Sequence, residues 1–380
     1  MIRFENVSKH YKSNEEEVVK NVSFDIKKGE LVVLIGPSGC GKTTCLKMIN
    51  QLEKISSGKI YIDGKSNVEY DPIKLRRSMG YVIQQTGLFP HMSIKENIEI
   101  IQRLVGHDEQ TIENRTSELM KMISLDENEF LDRYPTQLSG GQLQRIGVAR
   151  AFAMDPEIIL MDEPFSALDP LTRVQLQDEL LFIQSRIKKT IVFVTHDINE
   201  AIKLADRICI MKDGQIVQYD TPENIMKNPI NKYVSNFIGK NRIWSNPKYI
   251  HASDIMIEQP FSVPEEMPLF RCIEQMRIKH VTSAMVLNAE DCFTGIIDAV
   301  DIQKENDKTI PASKLCVYPK NTAHEKDNLL DLISIFDKEH LSYLPVLNDL
   351  NKLTGIITKS SLVTALSQQY MDEKEDKVNA

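Results

Sequence analysis

Apolar residues along this chain fall into two regimes. Up to about residue 240, short apolar runs alternate with stretches of helical spacing. Leu31–Ile35, Ile158–Met161 and Ile191–Val194 are continuous runs, the pattern of strands buried on both faces. Ile2–Val7 and Val22–Ile26 read as strands, the second with alternation, and Lys59–Asp63 as a short strand closed by Asp63-Gly64. Met79–Gln85 predicts a strand that presents Gln84 at its end, and Ile208–Met211 with Gln215–Gln218 a hairpin around Asp213-Gly214. Helices are expected over Thr43–Leu52, over much of 93–132, where Ile112, Leu119, Met120 and Ile123 share one face, and over Leu143–Met154. The second regime repeats itself at an offset of 60. Leu269 matches Leu329, Ile273 matches Ile333, His280 matches His340, Val286-Leu287 matches Val346-Leu347, and Thr294–Ile297 matches Thr354–Ile357. Each repeat reads helix, strand, turn, strand, helix, and two repeats make a pseudo-symmetric pair rather than a solenoid. Asn228-Pro229 and Asn246-Pro247 are turn formers on either side of Trp244, so a helix ending near Gly239 gives way to a linker. The expected organisation is a domain at 1–240 with a helical part at about 90–155, a linker at 241–252, repeats at 253–307 and 311–368, and a disordered charged tail at 369–380.

Composition narrows the classes. A chain of 380 residues with 42% hydrophobic content is ample for two or three domains. The net charge of −8 supplies no basic field for nucleic acid. The longest apolar runs are far too short to span a bilayer, and Met1–Glu5 lacks a signal-peptide core, so a cytoplasmic protein that docks on a membrane protein is expected. Cys40, Cys45, Cys209, Cys272, Cys292 and Cys316 form no C-x-x-C pair, which argues against zinc and against a disulfide framework.

The chemistry concentrates where buried strands end. Gly36-Pro37-Ser38-Gly39-Cys40-Gly41-Lys42-Thr43 follows the Leu31–Ile35 run and opens a helix that continues with Thr44. It satisfies G-x-x-x-x-G-K-[ST], the phosphate-binding loop. Its glycines let backbone N–H groups face phosphate oxygens, Lys42 can neutralise the β and γ phosphates, and the Thr43 hydroxyl can ligate Mg²⁺. Asp162-Glu163 emerges where a central strand ends, which is where ligands bind in open α/β sheets. Two adjacent carboxylates there call for a cation or a proton: Asp162 suits Mg²⁺ and Glu163 suits a base for water. Ser139-Gly140-Gly141-Gln142 begins a helix and forms a second anion nest without a lysine of its own. His196 ends another buried strand, where it is either structural or a donor to the γ-phosphate. Tyr11 is open between stacking on adenine and ordinary packing, and Cys40 between a reactive thiol and a small filler.

In this order, these segments resemble an ABC transporter ATPase subunit over about residues 1–240. The specific part is Leu138-Ser139-Gly140-Gly141-Gln142 twenty residues before Asp162-Glu163. The resemblance implies a P-loop NTPase fold and a head-to-tail homodimer with two ATP molecules at its interface. Ser139 and Gly141 of one subunit would close on the γ-phosphate held by Lys42 of the other. Gln84 would sense Mg²⁺ and the attacking water, Asp169 would support the interface, His196 would be the γ-phosphate switch, and Tyr11 would stack on adenine. The segment after Gln84 would meet membrane permease subunits.

The repeats resemble tandem cystathionine-β-synthase (CBS) domains, α/β modules that often bind adenine nucleotides between repeats. The ribose-binding Asp of that family is present as Asp301 and replaced by Ser361 in the second repeat. A ligand-free dimerisation clamp is the alternative. An ABC ATPase fused to tandem CBS domains resembles the ATP-binding subunits of importers for glycine betaine, carnitine, choline and related compatible solutes. Those assemblies include a permease and an extracytoplasmic solute-binding protein. Relatives of this kind can bind cyclic di-AMP at the CBS dimer interface, which implicates Val281, Thr282, Tyr343, Ile357, Lys359 and Ser360. Tyr343 could stack on a base or belong to the core, and Lys359 could meet a phosphate. A competing reading makes the chain a nucleotide sensor that uses the ATPase half as output.

Overall fold

The computed structural model describes residues 1–11, 17–83, 87–239 and 246–367. The chain forms two compact units, Met1–Ile238 and Gly239–Ala380.

In the first unit the strands are β1 (Ile2–His10), β2 (Glu17–Ile26), β3 (Leu31–Ile35), β4 (Ser57–Ile62), β5 (Lys65–Ser66), β6 (Met79–Val82), β7 (Ile158–Asp162), β8 (Thr190–Thr195), β9 (Arg207–Lys212) and β10 (Gln215–Asp220). One sheet is antiparallel with order β2-β1-β4-β5. The other has order β10-β9-β3-β8-β7-β6 and is parallel except for β10. Every residue of β3, β7 and β8 is buried, which is why these segments show no alternation. One core joins the two sheets through Cys45, Leu46, Met48 and Ile49 of the helix Lys42–Ile49.

β1 and β2 run longer than the apolar pattern predicts. Ser8 and Lys9 extend β1 although polar, because both are satisfied: Ser8 Oγ accepts from Asn21 N at 2.9 Å, and Lys9 Nζ donates to the Lys54 carbonyl at 2.8 Å. The helical stretch at 93–132 is broken into Ile94–Val105, Glu109–Met122 and Glu127–Phe130. Gly106, at φ 85°, ends the first, and Asp108 and Asp126 cap the next two.

The second unit holds β11 (Ile257–Glu258), β12 (Ser262–Pro264), β13 (Ser283–Leu287), β14 (Phe293–Asp298), β15 (Ala323–His324), β16 (Tyr343–Leu347) and β17 (Leu353–Thr358). The offset of 60 holds in the register itself. Pro264 pairs with Leu287 as His324 pairs with Leu347, and Ser283 faces Asp298 as Tyr343 faces Thr358. The repeat pattern omitted β12 and β15, parallel strands of two or three residues that are too short for periodicity to reveal. Each repeat packs a helix, Leu269–Ile278 or Leu329–Lys338, on its sheet over its own core. A smaller core of Met285, Phe293, Ile296 and Leu347 joins the repeats. Trp244 and the expected disordered tail lie outside the described residues.

Candidate active site

β3 delivers the chain to Gly36 at the C-terminal edge of the parallel sheet. Gly39 and Gly41 take φ of 79° and 99°, left-handed values that favour glycine. Gly36 is required for space: a Cβ there would lie 2.1 Å from the Met211 carbonyl oxygen and 2.8 Å from Cys40 Sγ. Gly36→Ala is therefore expected to cost about 1–3 kcal/mol of stability. A lowered midpoint of thermal unfolding, with weakened ATP binding, checks this. Lys42 is only 6% exposed, and its ammonium donates to the carbonyls of Gly36 at 2.7 Å and Pro37 at 2.9 Å. Cys40 is buried, and burial raises its thiol above the ordinary value against the opposing Lys42 charge.

The carboxylates arrive on β7, two strands from β3. The Thr43 hydroxyl donates to Asp162 Oδ1 at 2.8 Å. Burial pushes the Asp162 carboxyl above its ordinary value, and the Thr43 hydrogen bond and nearby Lys47 and Lys42 oppose that shift. A buried carboxylate beside a hydroxyl oxygen is a donor set of the hard-oxygen type that suits Mg²⁺. Glu163 turns into a left-handed conformation at φ 43°, fixed by its N–H donating to the Val194 carbonyl at 3.0 Å and by the Ser166 hydroxyl donating to its own carbonyl at 3.0 Å. His196, exposed at the end of β8, places Nδ1 3.4 Å from Glu163 Oε1. A cavity of about 450 Å³ is lined by Ser38, Gly39, Gly41, Lys42, Thr43 and Thr44 together with Val18, Glu163 and His196.

Other predicted residues stand elsewhere. Ser139 caps the helix Gly140–Phe152: its Oγ accepts from Gln142 N at 3.4 Å, and Gln142 Oε1 accepts from Ser139 N at 2.9 Å. Asp169 caps the helix Pro170–Ile187, and its bonds from Thr172 hold its carboxyl below the ordinary value. A Cβ on Gly141 would meet Thr172 Cγ2 at 2.6 Å, so these two helix starts pack closely. Tyr11 follows β1, with Lys9 Nζ 4.6 Å from its ring centroid, and does not line the cavity. Gln84 lies outside the described residues.

Pattern reasoning missed Arg173 and Glu200. Arg173 donates to the Leu168 carbonyl at 3.0 Å and stands 3.9 Å from Glu200. Buried Glu200 accepts from the Thr195 hydroxyl at 2.6 Å, and that hydroxyl accepts from Asp197 N. The network ties the Leu168–Asp169 turn to the His196 loop. A glutamate inside a helix start gives no sequence signal of burial.

Two other large cavities lie among the described residues. An apolar groove of about 540 Å³ in the first unit is lined by Leu52, Tyr81, Ile83, Phe89, Ile101 and Leu104, with Arg76, Arg77 and Arg150 among its polar walls. In the second unit a cleft of about 480 Å³ includes Asp298, Asp301, Lys320, Ser342 and Tyr343. The Tyr343 hydroxyl is 3.4 Å from Asp298 Oδ1. Burial and the Asp298 carboxylate push Tyr343 up to about 12. Val281, Thr282, Lys359 and Ser360 are not in this cleft; positions 281 and 282 are the repeat equivalents of Leu341 and Ser342, which are. Ile357 is buried in β17.

Residues 19–166 match the ABC transporter family, and residues 252–307 and 315–368 match the CBS domain family. The glycine betaine/carnitine/choline transport ATP-binding protein OpuCA of Bacillus subtilis (strain 168) is 45% identical over 379 residues, covering 100% of this chain and 99% of that protein. The chain belongs to the ABC transporter ATP-binding subunits. The choline transport ATP-binding protein OpuBA of the same organism is 45% identical, covering 99% of this chain and 98% of that protein. The carnitine transport ATP-binding protein OpuCA of Listeria monocytogenes is 46% identical, covering 99% and 94%. Among solved structures, the ATP-binding cassette MJ0796, described as a dimer in a post-hydrolysis state bound to ADP and Pi, aligns at a TM-score of 0.53. It is 38% identical and covers 58% of this chain and 99% of its own. This ABC subunit is an ATPase that uses ATP and Mg²⁺ and couples hydrolysis to transport, with a tandem CBS pair at its C-terminal side. No helix among the described residues is long and apolar enough to cross a membrane.

Proposed function

We propose that two copies of this ATPase close head-to-tail on membrane permease subunits and drive uptake of a quaternary-amine compatible solute such as glycine betaine, carnitine or choline. One observation carries the reading: Lys42, Thr43, Glu163 and His196 line one cavity, whereas the Ser139 nest lies outside it. A second copy can bring that nest to the γ-phosphate, so turnover depends on closure.

In this reading the loop 36–43 binds the phosphates and Lys42 neutralises β and γ oxygens. Thr43 and Asp162 would hold Mg²⁺, which supplies charge neutralisation when bound, and Gln84 is assigned the role of sensing the ion and the attacking water. Glu163 accepts the proton of the attacking water, and His196 donates to the γ-phosphate. Ser139 Oγ and the N–H groups of Gly140, Gly141 and Gln142 clamp that phosphate from the partner, Asp169 steadies the interface, and Tyr11 stacks on adenine. The apolar groove lined in part by Ile83 and Gly87 suits a permease segment, and in this reading the protein works at the cytoplasmic face of the membrane. An extracytoplasmic solute-binding protein delivers the solute.

The CBS pair is the regulatory half. Asp301 and Tyr343 share a cleft with room for an adenine nucleotide, with Tyr343 to stack and Asp301 to take ribose hydroxyls. Cyclic di-AMP is the proposed ligand. Val281, Thr282, Ile357, Lys359 and Ser360 are then residues of the ligand-bound dimer. Reconstitution with a permease and a solute-binding protein of this importer class tests the whole reading. ATP-driven uptake of at least one of the three solutes is expected, and lower uptake with cyclic di-AMP. Truncation after residue 245 is expected to keep uptake and lose the restraint. No uptake of any of the three overturns the solute assignment. Loss of the physiological effect with intact ATPase on truncation would favour the nucleotide-sensor reading instead.

A further inference from the structure

His196 is exposed, so the place of its ring depends on the backbone on either side of it. One buried carboxylate holds that backbone. The Thr195 hydroxyl accepts from Asp197 N at 3.0 Å and donates to Glu200 Oε2 at 2.6 Å, which ties both neighbours of His196 to Glu200. The other oxygen of Glu200 accepts from Gln177 Nε2 at 3.2 Å. Burial raises the Glu200 carboxyl above its ordinary value; Asp197 adds to the rise, while the Thr195 and Gln177 bonds and the Arg173 charge oppose it.

Arg173 faces this loop from the helix Pro170–Ile187. Its Nη1 is 3.8 Å from Asp197 Oδ2, its Nε is 3.9 Å from Glu200 Oε1, and its Nη2 donates to the Leu168 carbonyl at 3.0 Å. One guanidinium therefore meets both the turn that precedes Asp169 and the two carboxylates of the His196 loop. These residues line a single small cavity with Glu163, Ser166, Thr195 and His196. Fold stability alone is a poor account of the arrangement. The Nε atom is buried and makes no hydrogen bond among the described residues, and the approaches to Asp197 and Glu200 are both longer than a hydrogen bond. At that spacing the pairing returns little for the cost of burying a carboxylate.

We propose that Arg173 and Glu200 are positioning residues for hydrolysis, which act through Thr195 and Asp197 to hold the His196 imidazole beside Glu163 where it meets the γ-phosphate. The inference rests on the reading that His196 donates to that phosphate. Neither Arg173 nor Glu200 lines the nucleotide cavity, so binding needs neither. The reaction is more exacting, since a misplacement of about 1 Å costs about 10²-fold in rate. The bond to the Leu168 carbonyl gives the same guanidinium a hold on the start of the Asp169 helix, so the turn and the His196 loop are set together.

ATP hydrolysis by the full chain, followed with radiolabelled ATP, tests this. Arg173→Gln and Glu200→Gln are each expected to lower kcat by about 10- to 100-fold and to leave KM for ATP within about threefold. Thr195→Val should behave alike, whereas Thr195→Ser, which keeps the hydroxyl, should stay within about threefold of the unsubstituted rate. The deciding comparison is made in His196→Ala, whose own kcat is expected to fall by about 10²–10³-fold. Residues that act through His196 have nothing left to position there, so adding Arg173→Gln should change kcat by less than about twofold. The same fold-loss in both backgrounds would show that Arg173 supports the fold or some other group and would overturn the proposal. A kcat for Arg173→Gln within about twofold of the unsubstituted chain would overturn it too. Should Glu200→Gln fail to fold, Arg173→Gln and the two Thr195 variants carry the test. Unchanged turnover in His196→Ala would instead remove His196 as the γ-phosphate donor, and the proposal with it, whereas a loss there with none in Arg173→Gln leaves that reading standing and sinks the proposal alone.

Discussion

Glu163→Gln is expected to bind ATP as the unsubstituted chain does while steady-state turnover falls by about 10²–10⁴-fold, the usual worth of a positioned general base. Gln keeps the volume of Glu and can follow the same left-handed turn, held by the bonds to Val194 and Ser166. The phosphate loop and the Thr43–Asp162 pair are untouched, so nucleotide affinity has no reason to change. What is lost is the carboxylate that can take a proton from water. Because binding persists while hydrolysis stops, the ATP-closed dimer should accumulate and become visible as a doubling of mass by light scattering. Turnover near the unsubstituted rate would remove Glu163 as the base and leave it as a fold-positioning residue.

The same residues mark how far sequence could be read. The phosphate loop is legible because its function is carried by backbone, and glycine spacing reports backbone directly. Asp162-Glu163 is legible because four buried residues precede two carboxylates that a structural role would not tolerate. The bond between Thr43 and Asp162 is not legible. It spans 119 positions and exists because β8 inserts between β3 and β7, an order that sequence adjacency does not dictate. Polar but satisfied residues mislead in the same way: Ser8 and Lys9 hide the end of β1, and Glu200 hides a link between two loops. In the second unit the offset of 60 gives the pseudo-symmetry. It does not give the cleft, which draws Asp298 and Asp301 from one repeat and Tyr343 from the other. Asp301 and Tyr343 therefore share a cleft, whereas Val281 and Thr282 hold the repeat-equivalent positions of its residues 341 and 342.

Lys42→Ala is expected to weaken ATP binding by about 2–5 kcal/mol, the range for removing one partner of a buried charged pair, or roughly 30- to 5,000-fold in Kd. The ammonium is held before any nucleotide arrives, by the carbonyls of Gly36 and Pro37 at 2.7 and 2.9 Å. It is buried and needs little reorganisation to meet a phosphate. That preorganisation makes its loss expensive, since the remaining helix N-terminus offers only partial charge. The same change frees two carbonyls, so a structural effect has to be separated from the electrostatic one. Charge provides the separation. If Lys42 acts on the β and γ oxygens, affinity should fall more for ATP than for AMP, whereas a loosened loop would weaken both alike. Isothermal titration of both nucleotides, with the thermal midpoint measured in parallel, reads the difference. ATP affinity within threefold of the unsubstituted chain would show that backbone N–H groups alone hold the phosphates and would leave Lys42 as a clasp of its own loop.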